Sequence, residues 1–167
     1  MRALAGFLVL AACAAPVAPV RVESAAAAMA PLIGCWRGAF EGAPDIVDEH
    51  CFETLGEHVV DIHAVRPTSY GGETTYHLDD TQGVIVWAYA ATDGGRSNGS
   101  ISPTDTGFVV APYTHRGATG ETYRLRAAWT FDGADRFVMT TERETAGAWR
   151  PFMRVTFTRA ARGEEEG

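Results

Sequence analysis

The chain has 167 residues, 46% of them hydrophobic, and a formal net charge of −7 at pH 7. This length corresponds to a single domain that can bury a core of its own. The acidic balance argues against a nucleic-acid partner, because nucleic acids are bound by basic protein surfaces.

The N-terminal segment has the pattern of bacterial export. Arg2 provides a positive start, and residues 3–10 form an apolar run. That run is too short to span a bilayer, which requires roughly 20 apolar residues. We therefore predict a signal peptide over residues 1–12. The sequence Leu10-Ala11-Ala12-Cys13 resembles the lipobox of bacterial lipoproteins, which implies that Cys13 is lipidated and becomes the new N-terminus.

The residue after this cysteine bears on the location of the mature protein. Ala14 is not an aspartate-type retention signal, so the resemblance implies an outer-membrane lipoprotein that faces the periplasm. Its contact with the membrane would be the lipid anchor. The alternative is an ordinary signal peptide cut near Ala14 or Ala15, which leaves a soluble periplasmic protein.

Flexible segments are predicted on both sides of the folded domain. Residues 13–23 are rich in Ala, Pro and Val without periodicity and are predicted to form a tether. Ser24 can cap a short helix that ends at Pro31 and could plug one end of a barrel. The folded domain is predicted over residues 24–160, and an acidic disordered tail over residues 161–167.

From Trp36 onward the sequence has the pattern of an all-β protein. Short alternating runs are separated by turn residues, and no stretch has a convincing helical period. About eight to ten strands joined by short hairpins predict a closed antiparallel up-and-down β-barrel, because closure removes the unpaired edges of the sheet. The strands are predicted at residues 35–41, 49–55, 57–66, 72–79, 84–91, 96–101, 107–114, 121–132, 135–144 and 148–159.

Aromatic residues in the alternating runs predict the inward face of the barrel. Tyr123 and Trp129 share one face of their strand, and Trp149 shares a face with the apolar residues of the last strand. Trp87 and Tyr89 are predicted to point inward because an exposed Trp–Tyr pair would be an unusual surface patch. These five side chains are predicted to line a ligand-binding cavity.

The start of the first strand contains a Gly-x-Trp motif, in Leu32-Ile33-Gly34-Cys35-Trp36-Arg37-Gly38. With this motif, residues 32–159 resemble a lipocalin-like (calycin) β-barrel, and in particular small bacterial lipocalin-like domains of unknown function. In lipocalins this tryptophan packs at the closed end beneath an arginine of the last strand. The resemblance implies structural roles for Gly34, Trp36 and Arg159, and it implies no catalytic residue.

Two cysteines, Cys35 and Cys51, lie inside the predicted domain. In an oxidising compartment they could form a disulfide across neighbouring strands. The alternative is a pair of buried free thiols, because cysteine often packs as a small core hydrophobe. Both remain open, since the sequence does not fix the strand register.

The most notable polar group consists of Asp61, His63 and His77. Asp61 and His63 share a face of one strand, and a hairpin turn near Ser69 would place His77 opposite Asp61. Such a group can bind a divalent metal or transfer protons. The favoured interpretation is a solvated outer face, because the opposite face of these strands is the apolar one. We therefore predict no metal site and no cofactor.

A second motif, Gly95-Arg96-Ser97-Asn98-Gly99, matches the Gly-x-Ser-x-Gly nucleophile elbow. That elbow requires a strand before the serine and a helix after it. Here a strand-like run follows a Gly-rich turn, so the match is predicted to be accidental and catalytic residues are not assigned.

Arg143 has the same strand parity as the apolar Phe137 and Met139, which predicts that it points inward. Near the mouth of a barrel it could bind a carboxylate headgroup through two hydrogen bonds. The alternative is a rim residue paired with Glu142 or Glu144.

The predicted function is the binding of a small apolar or amphipathic molecule inside a lipid-anchored barrel. One alternative is a small barrel enzyme, such as an isomerase, cyclase or hydrolase, because fold alone does not decide function. Another is a ligand-free interaction module of the cell envelope, in which the barrel is filled by its own side chains. The first alternative requires Asp61, His63 and His77 to face the cavity.

Overall fold

The computed structural model describes residues 22–160, which form a closed barrel of ten antiparallel strands in up-and-down order. The predicted fold class, including the short N-terminal helix, is confirmed. The predicted signal peptide, Cys13, most of the tether and the acidic tail lie outside the described residues. Within residues 22–160, none of the helices has the length and apolarity needed to cross a membrane.

One helical segment precedes the strands, and hairpins connect each strand to the next. The elements are α1 (Ala25–Ala28), a 3-10 turn (Ala30–Leu32), β1 (Gly34–Phe40), β2 (Ala43–Leu55), β3 (His58–Arg66), β4 (Gly71–Asp79), β5 (Val84–Ala91), β6 (Arg96–Thr104), β7 (Gly107–Arg116), β8 (Thr122–Phe131), β9 (Arg136–Thr145) and β10 (Ala148–Arg159).

The start of β2 is the largest difference from the predicted strand boundaries. The sequence predicts a start at residue 49, but Ala43 already pairs with Phe40 of β1. Gly42 completes the reversal with a φ of 81°, in the left-handed region that favours glycine. Pro44 and Asp45 therefore lie inside a strand rather than in a turn.

Pairing between β1 and β10 closes the barrel. Trp36 lies opposite Arg159, and Phe40 lies opposite Val155. Every strand thus has two hydrogen-bonded neighbours, and the sheet has no free edge. We call the end that contains α1 the closed end, and the end at which β10 begins the open end.

The helical segment fills the closed end, as the sequence predicts for a plug. Ser24 caps α1, since its hydroxyl accepts a hydrogen bond from the N–H of Ala27 at 3.0 Å. Met29 and Leu32 are completely buried. The indole N–H of Trp36 donates to the carbonyl of Leu32 at 2.7 Å, which ties the 3-10 turn to β1.

Arg159 covers Trp36 in the arrangement that the lipocalin resemblance implies. Its guanidinium carbon lies 4.2 Å from the centroid of the indole ring. The same guanidinium donates to the carbonyls of Ile33 at 2.8 Å and Pro31 at 3.0 Å. Gly34 has a φ of 116°, and a Cβ there would lie 3.0 Å from the guanidinium. Glycine therefore lets the arginine approach the backbone of β1.

Cys35 and Cys51 form a disulfide in the structure, so the alternative of two free thiols does not apply to it. The two residues lie directly opposite each other on β1 and β2, with a Cα–Cα distance of 4.0 Å. This register comes from the hairpin at Gly42 and was the information that the sequence lacked.

Candidate functional site

A cavity of about 380 Å³ occupies the half of the barrel toward the open end. Phe40, Val65 and Tyr123, which lie close to strand ends, form part of its wall. Tyr70 and Phe152 also line it while remaining 36% and 55% exposed. The cavity therefore reaches the surface at the open end, whereas the closed end is filled by the core.

Four of the five predicted aromatic residues line this cavity, namely Trp87, Tyr89, Tyr123 and Trp129. The predicted inward faces of β5 and β8 are thus correct. Glycines on the neighbouring strands make room for these rings. A Cβ on Gly99 would lie 2.9 Å from the indole of Trp87, a contact too short for a side chain.

Trp149 is the exception, and its predicted inward orientation is wrong. Along β10, Met153 lines the cavity opposite Thr141, but the register shifts between Pro151 and Met153. The extra residue of this β-bulge reverses the parity, so Trp149 lies on the outer face. There its ring stacks against the guanidinium of Arg126, whose carbon is 4.7 Å from the ring centroid.

Arg143 lies on the inward parity of β9, opposite Leu125 of β8. Its guanidinium carbon is 4.2 Å from the ring centroid of Tyr123 and 5.9 Å from that of Phe152, both of which line the cavity. The predicted alternative, a pair with Glu142 or Glu144, does not form. Among the described residues, those two glutamates pair instead with Arg126 and Arg124.

A buried polar cluster forms part of the cavity wall and corrects the predicted orientation of β3. Asp61 is 1% exposed, and His63 also lines the cavity, although both were predicted to lie on a solvated face. Ile62 belongs to the apolar face of β3, which the sequence predicts to be the inward one, yet it is 51% exposed. His77 does not join the cluster, because Asp61 lies opposite Thr74 and His77 points outward.

The two remaining members of the cluster come from β2. His50 lies opposite His63, and their rings stack with centroids 4.5 Å apart. His50 Nδ1 is 2.7 Å from Asp61 Oδ2, and His63 Nε2 is 2.7 Å from Asp48 Oδ1. Two carboxylates and two imidazoles are therefore packed into one wall of the cavity, and we call these four residues the polar cluster.

Ionisation of the polar cluster is set by competition between burial and charge. Burial alone would lower the pKa of His50, but the charge of Asp61, the hydrogen bond to Asp61 and the close contact with Asp48 outweigh it and raise the pKa to about 10. Burial alone would raise the pKa of Asp48, but its close contacts with the imidazoles of His50 and His63 lower it to about 2. The polar cluster thus contains a buried ion pair at neutral pH.

Several polar atoms around the cavity have no hydrogen-bond partner among the described residues. They include one carboxylate oxygen, Oδ1, of both Asp48 and Asp61. The 2.7 Å contact between Asp48 Oδ1 and His63 is close but lacks hydrogen-bond alignment. The indole N–H groups of Trp87 and Trp129 are unpartnered too. Because buried polar groups normally have partners, these atoms are available to contact a bound polar group.

Ser97 and His115 form a second polar contact in the cavity wall, with 2.8 Å between Ser97 Oγ and His115 Nδ1. Ser97 belongs to the Gly-x-Ser-x-Gly motif. The motif runs along β6, and the next element is the strand β7, so the strand–turn–helix geometry of a nucleophile elbow is not formed. His115 stacks on Tyr123 near the open end.

The sequence interpretation did not single out Asp48, His50 or His115. A signal for the first two was present, because a hairpin centred near Gly56 places His50 opposite His63. Two Asp-x-His pairs, Asp48 with His50 and Asp61 with His63, then share one face of that hairpin. No comparable pattern marked His115.

No protein-family model matches the chain. No curated protein matches it either.

Proposed function

We propose that this protein binds a small apolar or amphipathic molecule in the barrel cavity. The observation that carries the proposal is a cavity of about 380 Å³ that combines aromatic walls with a polar cluster. Small-molecule sites are typically concave, mostly apolar and equipped with a few polar groups that orient the ligand.

The cavity favours ligand binding over the alternative of a solid interaction module. A ten-stranded barrel has a wider interior than an eight-stranded one, and here the side chains leave a cavity of about 380 Å³ toward the open end. The apolar part of a ligand would contact Trp87, Trp129 and the rings at the mouth. Its polar part would meet the polar cluster or Arg143.

Arg143 supports a preference for an acidic headgroup. It is near the mouth, and no described carboxylate pairs with it. A guanidinium can bind a carboxylate through two parallel hydrogen bonds.

We expect a fluorescent fatty acid to bind saturably, with tryptophan emission as the readout. An affinity near micromolar, about −8 kcal/mol, would be typical of such a site. Arg143→Ala should weaken the binding of the fatty acid more than the binding of a neutral analogue of the same length. Arg124→Ala, which changes an outward arginine of β8, serves as the control. Equal effects of the two variants would contradict the role of Arg143.

An enzyme is a second candidate, because Asp61 and His63 face the cavity. A carboxylate beside an imidazole can move a proton in a bound substrate, as in an isomerase. The two functions differ in what is recovered after incubation with a bound compound. Binding returns the compound unchanged in mass spectrometry and chromatography, whereas an enzyme returns a product.

We further propose that the protein is anchored in the bacterial outer membrane through lipidated Cys13 and faces the periplasm. Support comes from the lipobox-like Leu10-Ala11-Ala12-Cys13 and from Ala14 after it. Each buried CH₂ of an acyl chain contributes about 0.8 kcal/mol to membrane binding. Cys13→Ser should therefore release the protein from the membrane fraction and abolish labelling by a radioactive fatty acid. Labelling that persists in this variant would refute the anchor.

A further inference from the structure

We propose that Asp48, His50 and His63 bind a divalent transition-metal ion, such as Zn²⁺, with an open coordination position toward the cavity. All three residues line the cavity, so an ion held by them would be accessible to a small molecule there. Three protein ligands and one open position characterise catalytic and substrate-binding zinc sites. This inference is independent of the ligand-binding function proposed above.

The three donor atoms are already close together. One oxygen or nitrogen from each residue lies within 4.8 Å of the others. Asp48 Oδ1 is 3.4 Å from His50 Nε2 and 2.7 Å from His63 Nε2. Bonds of about 2.0–2.2 Å at tetrahedral angles place donor atoms about 3.3–3.5 Å apart. Of the three distances, that from Asp48 to His50 already matches, and that from Asp48 to His63 must lengthen by less than about 1 Å. The third distance, between the donor nitrogens of the two imidazoles, is at most 4.8 Å.

Each histidine is oriented by a hydrogen-bond partner on the far side of its ring. His50 Nδ1 lies 2.7 Å from Asp61 Oδ2, and His63 Nδ1 lies 3.3 Å from the hydroxyl of Tyr89. That hydroxyl in turn donates to the carbonyl of Gly71 at 3.1 Å. Donation from Nδ1 leaves the Nε2 lone pair of each ring for a metal, which is how metal-binding histidines are usually held.

The burial of Asp48 provides an independent indication of a ligand site. The residue is 3% exposed, and its Oδ1 has no hydrogen-bond partner among the described residues. A bound cation would provide a partner for this oxygen, whereas a buried carboxylate oxygen without a partner is unfavourable.

Metal binding would require a small local rearrangement. The two imidazole rings are now nearly parallel, with an interplanar angle of 17°, so both must turn about χ2 for their Nε2 atoms to converge. The ion would also displace the proton from His50, as metals do when they bind imidazole. The backbone positions need not change, because His50 and His63 are direct cross-strand neighbours.

The test is a titration of the chelator-treated, purified chain with Co²⁺, in a Cys13→Ser background that removes the free thiol as a competing ligand. We expect one equivalent of Co²⁺ to give the visible absorption bands of a tetrahedral site and Zn²⁺ to remove them. Asp48→Asn and His63→Gln should each weaken binding at least about 100-fold. Tyr89→Phe should weaken it roughly 10–100-fold, as expected for loss of a partner that orients a ligand.

His77→Ala is the matched control, because His77 lies on the outer surface beside His58, with ring centroids 6.1 Å apart. It should leave Co²⁺ binding unchanged. Loss of binding in this variant instead would identify a surface histidine pair and overturn the proposal, as would the absence of Co²⁺ bands in the unmodified cluster. Circular dichroism of each variant verifies that the barrel is folded. Fatty-acid titration in chelator separates failure of the metal site from failure of the ligand cavity.

Discussion

Replacement of Trp36 by alanine is expected to lower the free energy of unfolding by about 3–5 kcal/mol, the usual range for a buried tryptophan. The side chain is 1% exposed. Its ring packs edge-on against Phe137, with ring centroids 4.8 Å apart, and lies under the guanidinium of Arg159. The substitution would leave a cavity at the closed end, remove the hydrogen bond to Leu32 and expose one face of the arginine.

Equilibrium unfolding in urea measures this effect, and Trp149→Ala is its control. Trp149 lies on the outer face, where loss of its contact with Arg126 should change stability by about 1 kcal/mol or less. Both variants should retain the same ligand preference in the folded fraction, because Trp36 lies at the closed end, away from the cavity, and Trp149 lies on the outer face. Equal unfolding midpoints for Trp36→Ala and the unmodified protein would contradict the structural role of Trp36.

Replacement of Asp61 by asparagine is expected to destabilise the metal-free barrel by about 3–5 kcal/mol, the range for breaking a buried ion pair by removing one partner. Asp61 Oδ2 is 2.7 Å from His50 Nδ1, and the two side chains are 2% and 16% exposed. The variant keeps the volume of the side chain but removes a negative charge beside the buried imidazolium of His50. The charge, rather than packing, is therefore what the experiment removes.

Glu73→Gln on the neighbouring β4 provides the control for this experiment. Glu73 points outward and is exposed, so its neutralisation should change stability by less than about 0.5 kcal/mol. Unfolding of both variants is measured in chelator, so that a bound metal cannot mask the difference. If Asp61→Asn lowers the free energy of unfolding no more than Glu73→Gln does, the His50–Asp61 pair does not stabilise the barrel.

Most of the aromatic lining was predictable because β8 alternates between apolar and polar residues and because an exposed Trp–Tyr pair on β5 would be an unusual surface patch. Trp87, Tyr89, Tyr123 and Trp129 therefore fall on the predicted side. The orientation of Trp149 was not predictable in the same way. A β-bulge shifts the register of β10 by one residue, and a shift of one residue moves a side chain to the opposite face.

The polar cluster was not predicted because β3 violates the rule that the apolar face is buried. Val60, Ile62 and Ala64 make one face of this strand look like a core face, yet that face is the outer one. Asp61 and His63 point inward because β2 supplies partners of opposite charge there. This pairing of buried polar side chains depends on the register of two strands, and the alternation within one strand does not reveal it.

The central claim is that the interior of the barrel is a binding cavity, and paired substitutions on β8 test it most directly. Ala127 lines the cavity, whereas the next residue, Ala128, lies on the opposite face of the same strand. In fluorescent fatty-acid titrations, we expect Ala127→Phe to reduce the affinity at least about tenfold, because the new ring occupies ligand space, equivalent to about 1.4 kcal/mol. Ala128→Phe should bind like the unmodified protein. Equal binding by both folded variants, or no saturable binding by the unmodified protein, would contradict the claim.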